Sequence, residues 1–512
     1  MMITAYFWLF TLSFYCHLFV TSSRHKPIST HNYSAFPDEF KFGVGTSAYQ
    51  NEGAWNTSGK SPNIWDFSTH NQPEKILDRS NADITCDGYN KLEEDIELIA
   101  QLKVHCYRFS VSWTRLFPMG YVTTVNPDGV RYYNKVIDLV LAKNITPMIT
   151  MYHWDLPQSL QNLGGWANPK LANIFVEYAD RLFALFGDRV KVWTTFNEPS
   201  HICKNAYNGF SAPYLSEDGI GTYLCGHTLL RAHGKTYRLY QRKYKKTQGG
   251  SIGIAAETDW YEPLNASSVA DRRSVRDYME MNFGWFVHPI YSKTGDYSPV
   301  MRKRIDFVSR AQNFTHSRLP RFTKQEIKEI RGSYDYLGLN HYTTFLLTAA
   351  GQNVPATPSY ASDANVLLSQ DRLWELTGWE NFVVVPEGIR YLLHYIGQRY
   401  GYDIPISITE NGYAGAASED INDDNRIKYM NGYIQQVLQA INEGSNVVSY
   451  IYWTLMDNFE WSRGYTLKFG LYHVDFLSAN RTRTPKKSAK VFQNIVVTKQ
   501  VDNTFDPVEF VH

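Results

Sequence analysis

The chain has 512 residues, a hydrophobic fraction of 43%, an aromatic fraction of 15% and a formal net charge of +1. At the usual domain size that length makes about three domains, although α/β barrels exceed it as single units. The balanced charge argues against nucleic acid or an anionic membrane surface as partner, since both demand a concentrated basic face; clusters such as RKYKK and MRKR read as solvated helix faces.

Residues 1–23, MMITAYFWLFTLSFYCHLFVTSS, are apolar and then small and polar, which predicts a secretory signal cleaved near Thr21 to Ser23. The stretch lacks a basic start, but His17 interrupts a run already short for a bilayer span of about 20 residues, so cleavage is favoured over an anchor. From residue 36 to 500 the chain alternates β-rich runs with helical stretches. The predicted strands are FKFGVGTS, VHCYRFSVSW, ITPMITMYHW, KVWTTFNEP, GSIGIAAET, YDYLGLNHY, IPISITENG and VVSYIYWTLMD. Segments such as NKLEEDIELIAQL and LANIFVEYADRLFALFGD carry apolar residues at helical spacing. Eight β-then-α units without a composition break predict a single (β/α)8 TIM barrel with elaborated loops at its C-terminal face. Residues 343–379, rich in Pro, Ser, Asn and Gly, read as one long loop on the barrel mouth.

No later segment reads as a membrane span, and the C-terminal DPVEFVH carries no retention tetrapeptide or lipid-anchor tail. Secretion, extracellular or into a gut lumen, is the expectation. Sequons at Asn32, Asn56, Asn144, Asn265, Asn313 and Asn480 are compatible with it. Cys203 and Cys225, close together in one predicted loop, are the expected disulfide pair, whereas Cys86 and Cys106 read as free and buried. His227 and His233 lie off the spacing of a helical zinc pair, and FGVGTSAYQ lacks the third glycine of a dinucleotide loop, so neither metal nor organic cofactor is expected.

KVWTTFNEPS raises a sharper question, because it places a carboxylate, Glu198, at the exit of a strand that wants to be buried. A helix cap or an ion pair would explain it alone. Other strand exits are furnished in the same way: Gln50 after the first, Arg108 within the second, His153 and Trp154 closing the third, Asn197 beside Glu198, Asn340 and Tyr342 after the sixth, Glu410 on the seventh and Trp453 on the eighth. In this fold those ends meet on one face, where active sites are built. Two carboxylates there, flanked by aromatics and amides, suit glycosidic bond cleavage: one protonates the leaving oxygen and the other traps or stabilises the anomeric centre.

The sequence resembles the retaining β-glycosidases of glycoside hydrolase family 1 along the whole stretch from FGVGTSAYQNEG to GLYHVDF. TFNEP is similar to that family's acid/base motif and ITENG to its nucleophile motif, accompanied by YRFSVSW, MYHWDLPQ, LGLNHY and WTLMDNFEW. The resemblance implies Glu198 as acid/base and Glu410 as nucleophile. It implies Arg108, Asn340 and Tyr342 as residues that hold the nucleophile, and Gln50, His153, Asn197, Glu460 and Trp461 as binders of the non-reducing sugar. Trp453 matches the platform beneath the sugar and Phe469 a wall near its hydroxymethyl group. AWNTSGKSPNIWD and NLGGWANP look like animal, particularly insect, members.

The expected function is therefore a secreted retaining β-glucosidase acting on a small β-glycoside, and a homodimer is compatible with it. A thioglucosidase acting on S-glucosides is the alternative. Relatives of that activity in plants resemble the O-glucosidases but carry Gln at the acid/base position, where this chain keeps Glu198. A catalytically silent sugar-binding or receptor protein is less favoured, because such relatives lose a catalytic Glu and this chain has both. Lys204, six residues past Glu198, is expected to be an exposed lysine; its other reading is recognition of an anionic aglycone.

Overall fold

The eight β-rich runs form the eight strands of a closed parallel barrel: β1 (Lys41–Gly45), β2 (Cys106–Ser110), β3 (Thr146–Tyr152), β4 (Val192–Asn197), β5 (Ser251–Glu257), β6 (Tyr336–Asn340), β7 (Ile406–Asn411) and β8 (Val447–Tyr452). The computed structural model describes residues 30–351 and 354–507, so the expected signal at 1–23 lies outside the described residues. Consecutive strands pair in parallel, and β1 closes the ring against β8 with Lys41 opposite Ser449 and Val44 opposite Tyr452. Closure requires a glycine at one point: a Cβ on Gly43 would lie 2.6 Å from Cys106 Sγ and 2.7 Å from Ile451 Cδ1.

The crossover helices include α1 (Leu92–Gln101), α2 (Pro127–Ala142), α3 (Leu171–Phe186), α4 (Pro199–Tyr207), α5 (Gly221–Lys243), α6 (Phe283–Tyr291), α7 (Glu387–Tyr400), α8 (Asp424–Asn442) and α9 (Lys487–Thr498). Helical periodicity explains how they dock. In α3, Leu171, Phe175, Tyr178, Leu182 and Phe186 recur every three or four residues and are buried together against the barrel. The predicted helices at 90–102 and 171–188 are thus observed as α1 and α3.

Three expectations need correction. Residues 343–379 are not one loop: Thr344–Ala349 pairs in parallel with Trp260–Pro263 and antiparallel with Val366–Ser369, making a three-stranded sheet at the mouth. The flanking Pro, Ser and Gly residues masked the apolar runs TFLLT and VLLS. Cys203 and Cys225 are disulfide-bonded as expected, but from α4 and α5 rather than from a loop; Cys86 and Cys106 are free and buried. In MRKR, Arg302 and Arg304 do not merely face solvent, since they donate to the carbonyls of Leu319, Pro320, Ser362 and Asp363. Among the described residues no helix is long and apolar enough to cross a membrane.

Candidate functional site

The buried carboxyl at the end of β4 is not a helix cap. Glu198 occupies the residue before α4, whose first turn begins with Pro199, but its side chain makes no capping hydrogen bond. Its backbone is left-handed, φ 51° and ψ 61°, an uncommon conformation for a non-glycine residue and one that clusters at functional sites. Oε1 instead accepts from Asn340 Nδ2 at 2.8 Å, and Thr409 Oγ1 donates to Asn340 Oδ1 at 2.6 Å, fixing that amide's orientation. Shifts in strand register fall between Thr194 and Asn197 on β4 and between Ile408 and Glu410 on β7. Such irregularities re-aim side chains near active sites.

Glu410 is held from both sides. Arg108 Nη1 donates to Oε1 at 2.7 Å and Tyr342 Oη to Oε2 at 2.7 Å. Arg108 is buried and spends its remaining donors on Asn197 Oδ1 at 2.7 Å, Thr409 O at 3.2 Å and Thr150 Oγ1 at 3.1 Å. Glu198 and Glu410 are thereby joined through one network of Arg108, Asn197 and Asn340. Burial pushes both carboxyls up to about 7. At Glu410 the guanidinium and the tyrosine hydroxyl act against that rise while the charge of Glu198 adds to it; at Glu198, Asn340 and more distant cations act against it.

The residues expected to bind a sugar converge beside this pair. Gln50, on a short helical turn after β1, donates to Asn458 Oδ1 and to Glu460 Oε2, each at 3.2 Å. Burial and the charges of Glu410 and Glu198 raise Glu460 to about 8. Asn197 Oδ1 already accepts from Arg108 and Asn340, so its amide nitrogen faces His153 Nε2 at 3.0 Å. His153 is buried and kept neutral by burial, and Nε2 as acceptor puts its proton on Nδ1, which has no protein partner. The His153 ring stacks between Trp453, at 5.6 Å and 19°, and Trp461, at 5.9 Å and 17°. Phe469 packs with Trp453 and against Tyr342. Together these residues line a cavity of about 380 Å³, within the size range of small-molecule sites. Every expected site residue is therefore brought to one place, with Gln50 and Arg108 supporting its wall from behind.

The cavity is also lined by residues that the strand-exit pattern did not single out: His201, Glu257, Asp259, Tyr261, Trp379 and Phe382. His201 Nδ1 lies 3.0 Å from Glu198 Oε2. Its signal was present, because Pro199 starts a helix and residues three apart share a face. Glu257 ends β5, so the same strand-exit rule applied to the fifth strand would have found it. Lys204 is a correction: it is half-buried in the cavity wall, donates to Asn282 Oδ1 at 2.7 Å and lies over the Tyr360 ring. Its aliphatic stem is packed while the ammonium finds a neutral acceptor, which is how a lysine leaves the surface. Among the described residues no group of three or more His, Cys, Asp or Glu is arranged to hold a metal ion.

Comparison with known proteins agrees with this architecture. Myrosinase 1 of Brevicoryne brassicae is 44% identical over 465 residues, covering 90% of this chain and 98% of that protein. Among solved structures, an aphid myrosinase superposes with a TM-score of 0.86 at 43% identity, covering 90% of this chain and 99% of its own. A rice β-glucosidase mutant, solved in a covalent complex with Glc, superposes with a TM-score of 0.84 at 36% identity and covers 90% and 98%. The description Glycosyl hydrolase family 1 matches residues 32–501. With that match spanning most of the sequence, the chain belongs to glycosyl hydrolase family 1 and is an O-glycosyl hydrolase.

Proposed function

We propose that the protein is a secreted β-glucosidase that hydrolyses β-D-glucosides with retention, through a covalent glycosyl-enzyme. The observation that carries this reading is the unequal support of two buried carboxyls. Glu410 faces a guanidinium and a phenol, groups suited to hold a carboxylate ready to attack the anomeric carbon. Glu198 has one amide donor on Oε1, leaving Oε2 to carry the proton that the departing oxygen needs. Glu410 attacks as Glu198 protonates the leaving group; Glu198, now ionised, takes a proton from water as that water displaces Glu410. Asn197, His153 and Glu460 line the cavity and offer directional partners to sugar hydroxyls, Gln50 holds Glu460 from behind, and Trp453 fixes the ring plane. Glu460, an acid rather than a cation, offers a phosphorylated sugar no counter-charge. Secretion draws support from the N-terminal residues and from six sequon asparagines that are all exposed.

The test is Glu410→Gln, which should remain folded and lose turnover by a factor on the order of a thousand or more. Azide should rescue Glu410→Gly and give the glycosyl azide of inverted configuration. Near-normal turnover, or an unchanged anomer, would refute the assignment.

A thioglucosidase is the second reading, favoured by the position of Lys204. A half-buried ammonium whose hydrogen bond goes to a neutral amide oxygen, with the Glu257 and Asp259 carboxyls near it, could meet an anionic aglycone such as a sulfated S-glucoside. Under the O-glucosidase reading, Lys204→Ala leaves kcat/KM for neutral O-glucosides within about twofold, as for a residue away from the chemistry. If the wild type prefers sulfated S-glucosides and the variant raises KM for them alone, the second reading replaces the first.

A further inference from the structure

We infer that His201 is a positioning residue for the acid step, holding the proton-bearing oxygen of Glu198. This rests on the reading of Glu198 as the acid/base. The two oxygens of that carboxyl have different partners. Oε1 accepts from an amide N–H, which suits an unprotonated oxygen, so the proton of the acid form belongs on Oε2. Oε2 is the oxygen that His201 Nδ1 approaches at 3.0 Å.

The imidazole is itself well placed for the task. His201 lies one helical turn after Glu198 on α4, its ring meets Trp154 edge-on at 6.2 Å, and Trp154 Nε1 donates to Asn197 O at 3.1 Å. Its nearest other charged neighbour is Glu257 at 4.0 Å, and the His201 side chain is 40% exposed toward the cavity. Nδ1 accepts from Oε2–H while the ring proton sits on Nε2, and donates to the ionised Oε2 once solvent has carried that proton from Nε2 to Nδ1, so one contact serves both forms that Glu198 adopts during a turnover. It therefore fixes the Oε2 direction before the leaving group arrives and again when water is deprotonated. No proton is gained or lost by His201 over the cycle; the one given to the leaving oxygen returns to Glu198 from water.

Leaving-group dependence separates this role from a packing role, because protonation matters for alkoxide leaving groups and hardly at all for acidic phenols. His201→Ala should lower kcat/KM about tenfold for methyl β-glucoside and less than about twofold for dinitrophenyl β-glucoside, a fraction of what full acid catalysis supplies. His201→Asn, whose amide reaches the place of Nδ1, should restore most of the alkyl rate, and His201→Gln, whose amide reaches the place of Nε2, should not. Equal losses on both glycosides, an unchanged alkyl rate, or rescue by Gln and not Asn would overturn the inference. Glu198→Gln serves as the control: if it also shows no leaving-group dependence, the acid/base reading has failed, whereas a steep dependence with none in His201→Ala removes His201 alone.

Discussion

Tyr342 reaches Glu410 from a strand away, and its contact gives the pH profile a testable sign. Burial raises both carboxyls to about 7, and with the network between them they titrate as a pair rather than as independent groups. The active form has one proton, on Glu198, so the acidic limb follows ionisation of Glu410 and the alkaline limb loss of the Glu198 proton. The Tyr342 hydroxyl favours ionised Glu410. Tyr342→Phe should therefore move the acidic limb of kcat/KM to higher pH, narrow the bell from that side and slow turnover about tenfold or more. An acidic limb that stays in place would mean the hydroxyl does not stabilise the nucleophile's charge. Glu198 and Glu410 were legible because several strand exits carry polar or aromatic residues together: a carboxylate after VWTTF alone has ordinary explanations, but the convergence of such exits on one barrel face does not. His201 could be found only through the helix that Pro199 starts, which puts it on the same face as Glu198 three residues earlier.

At the scale of elements, α4 is the piece that delivers Glu198, His201 and Lys204 to the cavity, and the Cys203–Cys225 disulfide ties it to α5. The bridge spans a sequence separation of 22 residues. Closing a loop of that size constrains the unfolded chain by about 3 kcal/mol. A Cys203→Ser/Cys225→Ser double variant should lose about that much stability in urea titration, and its melting temperature should cease to respond to reductant. Because α4 is then held only by packing and hydrogen bonds such as Lys204 to Asn282, alkyl glucosides should lose more rate than dinitrophenyl glucosides, through the same Glu198 geometry. Full stability in the double variant would show that α4 docks without the bridge. The helices of the barrel were readable from the repeat of their buried face, and its strands, buried on both sides, from short runs of β-favouring composition. The mouth sheet was not: its strands are four to six residues long, paired only with one another, and framed by loop-forming residues.

Across the whole molecule, the sugar-binding loop depends on the far C-terminal end of the barrel. The residues joining β8 to Glu460 are anchored by Asp457, which is fully buried and accepts from Lys486 Nζ at 2.8 Å and Gly470 N at 3.0 Å, with His473 Nδ1 at 3.3 Å. Asn458 follows and accepts from Gln50, so the loop's inner end is pinned before it reaches the cavity. No sequence motif announces this pairing, because Lys486 lies 29 residues away, just ahead of α9. Burial pushes the Asp457 carboxyl up, but Lys486, His473 and Arg426 together outweigh it and hold the group at about 2, below its ordinary 3.8. A depressed carboxyl stabilises the fold above its unfolded value and loses that contribution as pH falls through the folded one. The wild type should accordingly lose about 1 kcal/mol of stability through this group between pH 5 and pH 3. Asp457→Asn abolishes that part of the slope and leaves the buried Lys486 ammonium with only the more distant Glu419 carboxylate, at 3.8 Å, at a cost of about 3 kcal/mol near neutral pH. Urea midpoints of both proteins at pH 5 and pH 3 decide it. Parallel pH slopes would show that the pair does not couple proton binding to folding, whereas a flatter slope with weaker binding of glucose-configured inhibitors would tie the C-terminal helix to the sugar site through Asp457.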